Sequence, residues 1–327
     1  MAQGADQQPA FDAGNGGEAN LAAKMCATLS YGTRANYVAG IDDVIEMSVI
    51  TMANEWDRRH VWTDWKGQEY SMLDEWAYVT GLAKRTPGRS AGTRDENNDG
   101  KSVGDFANDA NAFIKGRRAL GLGNQLREEH ALLTEDEVIA VRLYTGPGYQ
   151  CINTFLRQLA TLTGEYRREL IRSPRLTLAA TVAHLASAVR KLSAVATDEE
   201  ATAPLYRGVR GELPKGFWTP DEQGLVCAVD MSFMSTSRAR QTPVDYMGEG
   251  SNVLWALQPM RETDVGYHRG ADVSMLSQFE AEKEILFPPA TMLEVKKLDM
   301  LRRGGEKVQT NECGKVFMEI EVLPTFV

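Results

Sequence analysis

Three short elements in the second half of the chain carry side chains that could do chemistry together. They are Leu205-Tyr206-Arg207-Gly208, Phe233-Met234-Ser235-Thr236-Ser237, and a segment running from Phe279 through Glu282 and Glu284 to Phe287. Residues i and i+2 of a β-strand point to the same face, roughly 7 Å apart, so we expect Glu282 and Glu284 to face one side together. Two neighbouring carboxylates of different exposure can take two roles, one stabilising positive charge and the other accepting a proton.

The arginine and the hydroxyls complete a site for an anionic ligand with a cationic centre. Arg207 lies between an apolar run and Gly208, so its guanidinium would leave a strand whose backbone permits close ligand approach. A planar fork of donors suits a phosphate or a pyrophosphate. Ser235, Thr236 and Ser237 end a second strand with hydroxyls short enough to orient a carboxylate or a ligand amide. These groups together predict a site for a dinucleotide whose reactive centre becomes positively charged.

Each element also has an ordinary structural explanation when it is taken alone. Arg-Gly after an apolar residue is common, Ser-Thr-Ser often ends a strand, and Glu-Lys-Glu is usually a solvated surface. Their order and their combination in one chain favour the functional interpretation.

This order resembles the arginine–serine–glutamate class of mono-ADP-ribosyltransferases, which includes iota-like bacterial toxins and the vertebrate arginine-specific ectoenzymes. The likeness extends to residues 270–277 (GADVSMLS), to the Phe-Pro-Pro that ends the third element, and to the upstream stretch 140–157 (AVRLYTGPGYQCINTFLR). It covers about residues 131–327. Residues 1–125 match nothing in that catalytic core.

The resemblance implies transfer of ADP-ribose from NAD, as the substrate, to an arginine side chain of an acceptor protein, with release of nicotinamide. Glu284 would be the catalytic glutamate that stabilises an oxocarbenium-like transition state. Glu282 would polarise or deprotonate the acceptor guanidinium. Phe279 would contact the acceptor, or alternatively cap the loop as a buried side chain.

The same resemblance places NAD against the first two elements. Arg207 would hold the NAD phosphates and the backbone of Gly208 would bind the nicotinamide amide. Ser235 would orient the catalytic glutamate, with Thr236 and Ser237 beside the NAD molecule.

The hydrophobic periodicity predicts helices first and strands afterwards. Helix patterns cover residues 36–58, the segment after a Thr134-x-x-Glu137 capping box, and residues 148–171 and 177–195. Beyond Ala203, β-like runs lie at 205–209, 228–236, 252–258, 284–287, 292–298 and 316–323. This order predicts an α+β architecture. The resemblance implies two packed β-sheets that form an NAD cleft, with a helical bundle before them.

The chain is expected to divide into three parts. Residues 1–20 are poor in large aliphatic side chains and predict a flexible tail. Residues 21–130 form a mainly helical accessory region, in which four tryptophans between Trp56 and Trp76 predict a compact aromatic core. Residues 131–327 form the ADP-ribosyltransferase catalytic domain.

Composition excludes several classes of partner. The 36 Lys and Arg against 45 Asp and Glu give a formal charge of −9, which disfavours nucleic-acid binding through a basic surface. No run approaches the roughly 18 apolar residues of a membrane helix, and residues 1–30 lack a signal-peptide pattern. We therefore expect a cytoplasmic protein with no nucleic-acid or membrane partner.

Metal binding is not expected. The four cysteines and four histidines are scattered, without a CxxC or HxxxH pair. Residues 95–106 imitate the opening of a calcium loop, but Ser102 and Phe106 stand where an aliphatic residue and a bidentate Glu are usual. A polar turn leading into a helix near Asp105 is the favoured alternative.

Two other functions remain open beside arginine transfer. The first is an NAD glycohydrolase, in which water is the acceptor. The second is a non-catalytic module that keeps the fold to bind a partner, against which the intact Arg207, Ser235, Glu282 and Glu284 argue.

Overall fold

The structure, a computed structural model, describes residues 51–57, 60–63, 67–83, 101–161, 177–220, 224–261, 268–296, 302–303, 306–307 and 310–326. The predicted tail, most of the helix predicted over 36–58, and residues 95–100 of the calcium-like segment lie outside these ranges. Ser102 and Asp105 are described, and they form the capping box of the helix that begins at Val103.

Helices and strands are numbered in chain order within the described residues. The helices are α1 (Met52–Trp56), α2 (Met72–Val79), α3 (Val103–Ala119), α4 (Glu128–Ala131), α5 (Glu135–Leu143), α6 (Tyr149–Thr161), α7 (Ala179–Ala194), α8 (Asp198–Thr202) and α9 (Gln241–Asp245). The strands are β1 (Val61–Thr63), β2 (Glu69–Ser71), β3 (Leu205–Arg210), β4 (Cys227–Asp230), β5 (Met234–Ser237), β6 (Asn252–Leu257), β7 (Ala271–Asp272), β8 (Glu284–Phe287), β9 (Thr291–Val295), β10 (Arg302–Arg303), β11 (Glu306–Lys307), β12 (Thr310–Glu312) and β13 (Lys315–Thr325).

The predicted α+β class is confirmed by a large sheet that packs with helices. Its strands follow the order β4-β9-β13-β6-β3-β5-β8-β7, and β12 pairs with β13. A single register pair, Tyr206 with Ser237, joins β3 to β5. The sheet therefore consists of a long limb, β4 to β3, and a short limb, β5-β8-β7.

The two limbs pack on each other through one hydrophobic core. Trp255 and Ile320 of the long limb share this core with Ile285 and Phe287 of the short limb. Leu286, which alternation along β8 turns to the opposite face, joins a second core with the helices. The short limb is thus buried on both faces, between the long limb and the helical layer.

The helical layer follows the sequence pattern where that pattern is strong. Thr134 and Glu137 form the predicted capping box at the start of α5. The apolar stripe predicted along α7 is buried in the helical core, at Leu178, Val182, Leu185, Val189 and Leu192. Within the described residues, no helix combines the length and the apolar character that crossing a lipid bilayer requires.

One expectation about the strands is wrong. The run predicted over 228–236 is two strands, β4 and β5, because the carboxylate of Asp230 accepts hydrogen bonds from the amide and the hydroxyl of Ser232 and turns the chain. The first half of the chain also contains a β-hairpin, β1–β2, in which Trp62 stacks on Tyr70 with ring centroids 5.8 Å apart.

The described residues between 51 and 83 share the helical core with later parts of the chain. Trp56 of α1 and Met72 of α2 are buried in the same core as α5 and α7. Glu55, fully buried, accepts hydrogen bonds from the backbone amides of Ala180 (2.8 Å) and Thr181 (2.9 Å). The N-cap residue of α7, Leu178, makes no side-chain hydrogen bond to the start of the helix. Glu55, which is far from α7 in the sequence, caps the helix instead. The division at residue 130 into an accessory region and a catalytic domain stays a prediction.

Replacement of Glu55 by Gln tests how strongly this segment is tied to the catalytic region. Loss of the carboxylate leaves two amides at the start of α7 with weaker partners, and we expect about 3 kcal/mol less free energy of unfolding. Urea denaturation measures it, with Glu128→Gln, an exposed glutamate of α4, as the control expected to change by less than about 0.5 kcal/mol. Equal stabilities of Glu55→Gln and wild type would contradict the tie.

Candidate active site

Every site residue that the sequence predicts lies on the wall of one cleft. It has a volume of about 490 Å³ and is bordered by β3, β5, α9, the start of β8 and the helical layer. The selected residues on its wall are Arg207, Gly208, Ser235, Thr236, Ser237, Phe279, Glu282 and Glu284.

Glu284 is the first residue of β8 and its side chain is buried in this wall. Only 5% of the residue is exposed. Burial raises the pKa of its carboxyl to about 8, and the negative charges of Glu282 and Asp272 add to that rise. A hydrogen bond from Ser235 and the charge of Arg207 act in the opposite direction. The carboxyl is therefore only partly ionised at neutral pH, and a nearby positive charge would favour its ionised form.

The register of β5 and β8 explains why Ser235 reaches Glu284. Ser237 lies opposite Glu284 and Ser235 lies opposite Leu286 in the antiparallel ladder. Because i and i+2 share a face, Ser235 and Glu284 point to the same side of the short limb. The two strands bring them together although they are 49 positions apart in the sequence.

The backbone around Glu282 differs from the one that the sequence predicts. It ends a short 3₁₀-helix (Glu280–Glu282), and Lys283 has a left-handed backbone (φ 48°, ψ 52°), so the strand begins only at Glu284. The expectation that both glutamates lie along one strand is wrong. The hydroxyl of Ser237 donates to the carbonyl of Glu282 at 2.6 Å and fixes this turn. The side chain of Glu282 accepts a hydrogen bond of 2.6 Å from the hydroxyl of Tyr246.

Arg207 is held inside the wall more firmly than its sequence context suggests. One Nη donates to Oδ2 of Asp230 and the other to the carbonyl of Ser235, each at 2.8 Å. Side-chain exposure is 11% for Arg207 and 1% for Asp230. The Nε of Arg207 has no hydrogen-bond partner among the described residues. The guanidinium is thus fixed in orientation by one hydrogen bond from each Nη atom, and its Nε–H is not used in these two contacts.

Thr236 and Gly208 stabilise the fold around the cleft in addition to lining its wall. The hydroxyl of Thr236 donates to the carbonyl of Ile285 at 2.7 Å, which fastens β5 to β8. A Cβ added to Gly208 would lie 2.6 Å from the carbonyl oxygen of Pro243, so α9 can approach β3 only at a glycine. Phe279 is half-buried at the cleft.

Three cleft residues on α6 were not selected from the sequence. Each has one buried polar atom without a hydrogen-bond partner among the described residues. These atoms are Oε1 of Gln150, Oδ1 of Asn153 and Nε of Arg157. Their spacing of three and four places them on one helical face. The signal was present in residues 140–157, where the polar positions 150, 153 and 157 repeat at helical spacing.

The break between α5 and α6 opens this wall of the cleft. A π-helical turn (Tyr144–Gly148) separates the helices, and Gly146 within it is extended (φ −100°, ψ −166°). A Cβ on Gly146 would overlap the side-chain amide of Gln278, which donates to the carbonyl of Arg142 at 2.7 Å. The segment leading to Phe279 and Glu282 is thus anchored on the helical layer.

No metal site is apparent in the described part of the chain. No group of three or more His, Cys, Asp or Glu side chains there is arranged to hold a metal ion.

Comparisons with known proteins identify the family of this chain. Residues 110–316 match the family model described as NAD:arginine ADP-ribosyltransferase. No curated protein sequence gave a significant match.

Solved structures with similar folds include three bacterial proteins. The ADP-ribosyltransferase HopU1 of Pseudomonas syringae pv. tomato DC3000 is 20% identical, with a TM-score of 0.42, over 78% of this chain and 99% of that chain. The Vis toxin of Vibrio splendidus is 18% identical, with a TM-score of 0.38, over 68% and 84%. Exoenzyme S of Pseudomonas aeruginosa is 21% identical, with a TM-score of 0.35, over 67% and 88%.

The family assignment rests on the family model, which spans more than half of the chain and includes β3, β5 and β8 entirely. The resemblance found in the sequence is therefore confirmed. The chain belongs to the NAD:arginine ADP-ribosyltransferase family and is an ADP-ribosyltransferase that uses NAD as its substrate.

Proposed function

We propose that this enzyme transfers ADP-ribose from NAD to the guanidinium of an arginine on an acceptor protein and releases nicotinamide. The observation that carries the proposal is the cleft itself, in which a fixed arginine, a serine hydroxyl and two glutamates meet. The description of the matching family supports arginine as the acceptor residue.

The NAD side of the proposal is supported by the unpartnered atoms of the wall. The donors are the Nε atoms of Arg157 and Arg207, and the acceptors are the amide oxygens of Gln150 and Asn153. Buried polar atoms normally have partners, so a ligand with both anionic oxygens and hydroxyl groups suits them. We assign the two arginines to the NAD phosphates.

The nicotinamide end is assigned to the β3–β5 side of the cleft. The backbone of Gly208 would bind the nicotinamide amide, and Thr236 and Ser237 would border it. In the reaction the bond between nicotinamide nitrogen and ribose carbon breaks, and its electron pair leaves with nicotinamide, which becomes neutral. The positive charge that develops on the ribose is stabilised by ionised Glu284, which Ser235 orients.

The acceptor end is assigned to Glu282 and Phe279. A guanidinium nitrogen forms the new bond to the ribose carbon, and its proton passes to the carboxylate of Glu282. Phe279 lies three residues before Glu282 on the same wall, where it would contact the acceptor polypeptide. The alternative acceptor is water, which would need Glu284 but not Glu282.

Replacement of Glu284 by Gln should remove both transfer and NAD hydrolysis. The isosteric amide cannot stabilise developing positive charge, so we expect kcat to fall at least about 100-fold in both assays. Nicotinamide release, measured with and without agmatine as an arginine analogue, follows both reactions.

The same variant should keep its fold. The pKa of the Glu284 carboxyl is 4.5 in the unfolded chain and about 8 in the folded protein. The free energy of unfolding therefore decreases as the pH rises from 4.5 to about 8, and Gln, which does not titrate, removes this decrease. We therefore expect the Tm of Glu284→Gln at pH 8 to equal or exceed that of wild type. Full activity in Glu284→Gln would exclude its assigned role.

Replacement of Glu282 by Gln should separate the two reactions. Without a base for the guanidinium proton, transfer to agmatine should decrease about 100-fold or more, whereas NAD hydrolysis should stay within about threefold. The matched control is Glu280→Gln, in the same 3₁₀-helix but exposed and away from the cleft wall, which should behave as wild type. Equal losses of transfer and hydrolysis in Glu282→Gln would contradict the division of roles.

The pH dependence should report the titration of Glu284. Since the ionised form is the active one and its pKa in the free enzyme is about 8, kcat/KM for NAD hydrolysis should rise with pH through a midpoint near 8. Nicotinamide release between pH 6 and 9.5, corrected for the enzyme-free reaction, measures the profile. A decline over this range would show that the protonated carboxyl is the active form.

A further inference from the structure

Tyr246 connects α9 to the turn that carries Glu282. It follows α9 directly, its ring lies on the cleft wall and 49% of the residue is exposed. Its hydroxyl donates to Oε1 of Glu282 at 2.6 Å, across 36 positions of sequence. Burial, followed by this hydrogen bond to Glu282, raises the pKa of the Tyr246 hydroxyl, so the group remains a donor at neutral pH.

Glu282 needs such a contact because its own element is short. The 3₁₀-helix has three residues, and none of them is buried. The main chain of Glu282 is fixed by Ser237 at 2.6 Å, but a glutamate side chain has several rotatable bonds and loses considerable freedom when it is held. A hydroxyl on a rigid aromatic ring reduces that freedom with a single short hydrogen bond.

Tyr246 is itself held on both sides. Arg210 of β3 donates to its carbonyl oxygen at 3.0 Å. Val244 and Met247, which flank it, are buried in a small core with Leu254 and Phe317. The close packing of α9 on β3 depends on the missing Cβ of Gly208. The hydroxyl is therefore presented to Glu282 from a fixed backbone.

We propose that Tyr246 is a positioning residue that holds the carboxylate of Glu282 toward the acceptor, and that its hydroxyl thereby controls how ADP-ribose divides between arginine and water. This inference rests on the proposed function. Capture by a guanidinium requires the base at the right distance from the attacking nitrogen, whereas capture by water depends on Glu284 alone. Loss of the hydroxyl should shift the products toward free ADP-ribose.

Tyr246→Phe tests the inference because it removes the hydroxyl and keeps the ring. With agmatine as acceptor, we expect kcat for transfer to decrease about tenfold, while NAD hydrolysis and KM for NAD stay within about twofold. Tyr78→Phe, a half-buried tyrosine of α2 outside the cleft, is the matched control and should equal wild type.

A double variant distinguishes positioning from a general structural effect. If Tyr246 acts through Glu282, transfer by Glu282→Gln/Tyr246→Phe should equal transfer by Glu282→Gln alone. Two results would overturn the inference and leave the proposed function intact. The first is a loss of transfer in the double variant equal to the product of the losses in the two single variants, and the second is unchanged transfer in Tyr246→Phe. Wild-type enzyme that hydrolyses NAD without modifying agmatine or a protein arginine would instead overturn the proposed function.

Discussion

The burial of the Glu284 carboxyl is the constraint on which the rest of the site depends. A carboxylate in a low-dielectric wall is unfavourable unless charge or hydrogen bonds offset its desolvation. Here one hydroxyl and one arginine offset it in part, and the pKa stays at about 8. The negative charge is therefore stabilised best when a positive charge appears in the cleft, which is the electrostatic condition that the proposed reaction requires.

The cleft wall carries charged side chains of both signs. The charge of Arg207 acts on the Glu284 carboxyl, but Arg207 also pairs with Asp230, and the two side chains are 11% and 1% exposed. A buried pair of this kind contributes orientation more than stability. It also restrains the arginine from neutralising Glu284. Two carboxylates on the wall, Glu282 and Glu284, suit cations such as nicotinamide and guanidinium, whereas two arginines, Arg157 and Arg207, suit phosphates.

The sequence predicts those parts of the site that are encoded locally. The predicted bounds of the strand that begins at Glu284 and of the capping box at Thr134 agree with the structure. Both could be predicted because apolar runs and helix caps involve residues only a few positions apart. The left-handed backbone of Lys283, which separates Glu282 from the strand, was not predicted, because nothing in Glu-Lys-Glu marks it. The partner of Arg207 was not predicted either, since Asp230 comes from another strand and only the tertiary fold brings the two together.

The segment before the family region has a larger part in the site than its sequence indicates. The family model begins at residue 110, yet Gly67, Gln68 and Tyr70 of the β1–β2 hairpin lie on the cleft wall. The hairpin leads into α2, whose Met72 is buried in the helical core, and the capping contact of Glu55 ties α1 to α7. The cleft is thus formed by residues that the family pattern describes and by residues that it does not.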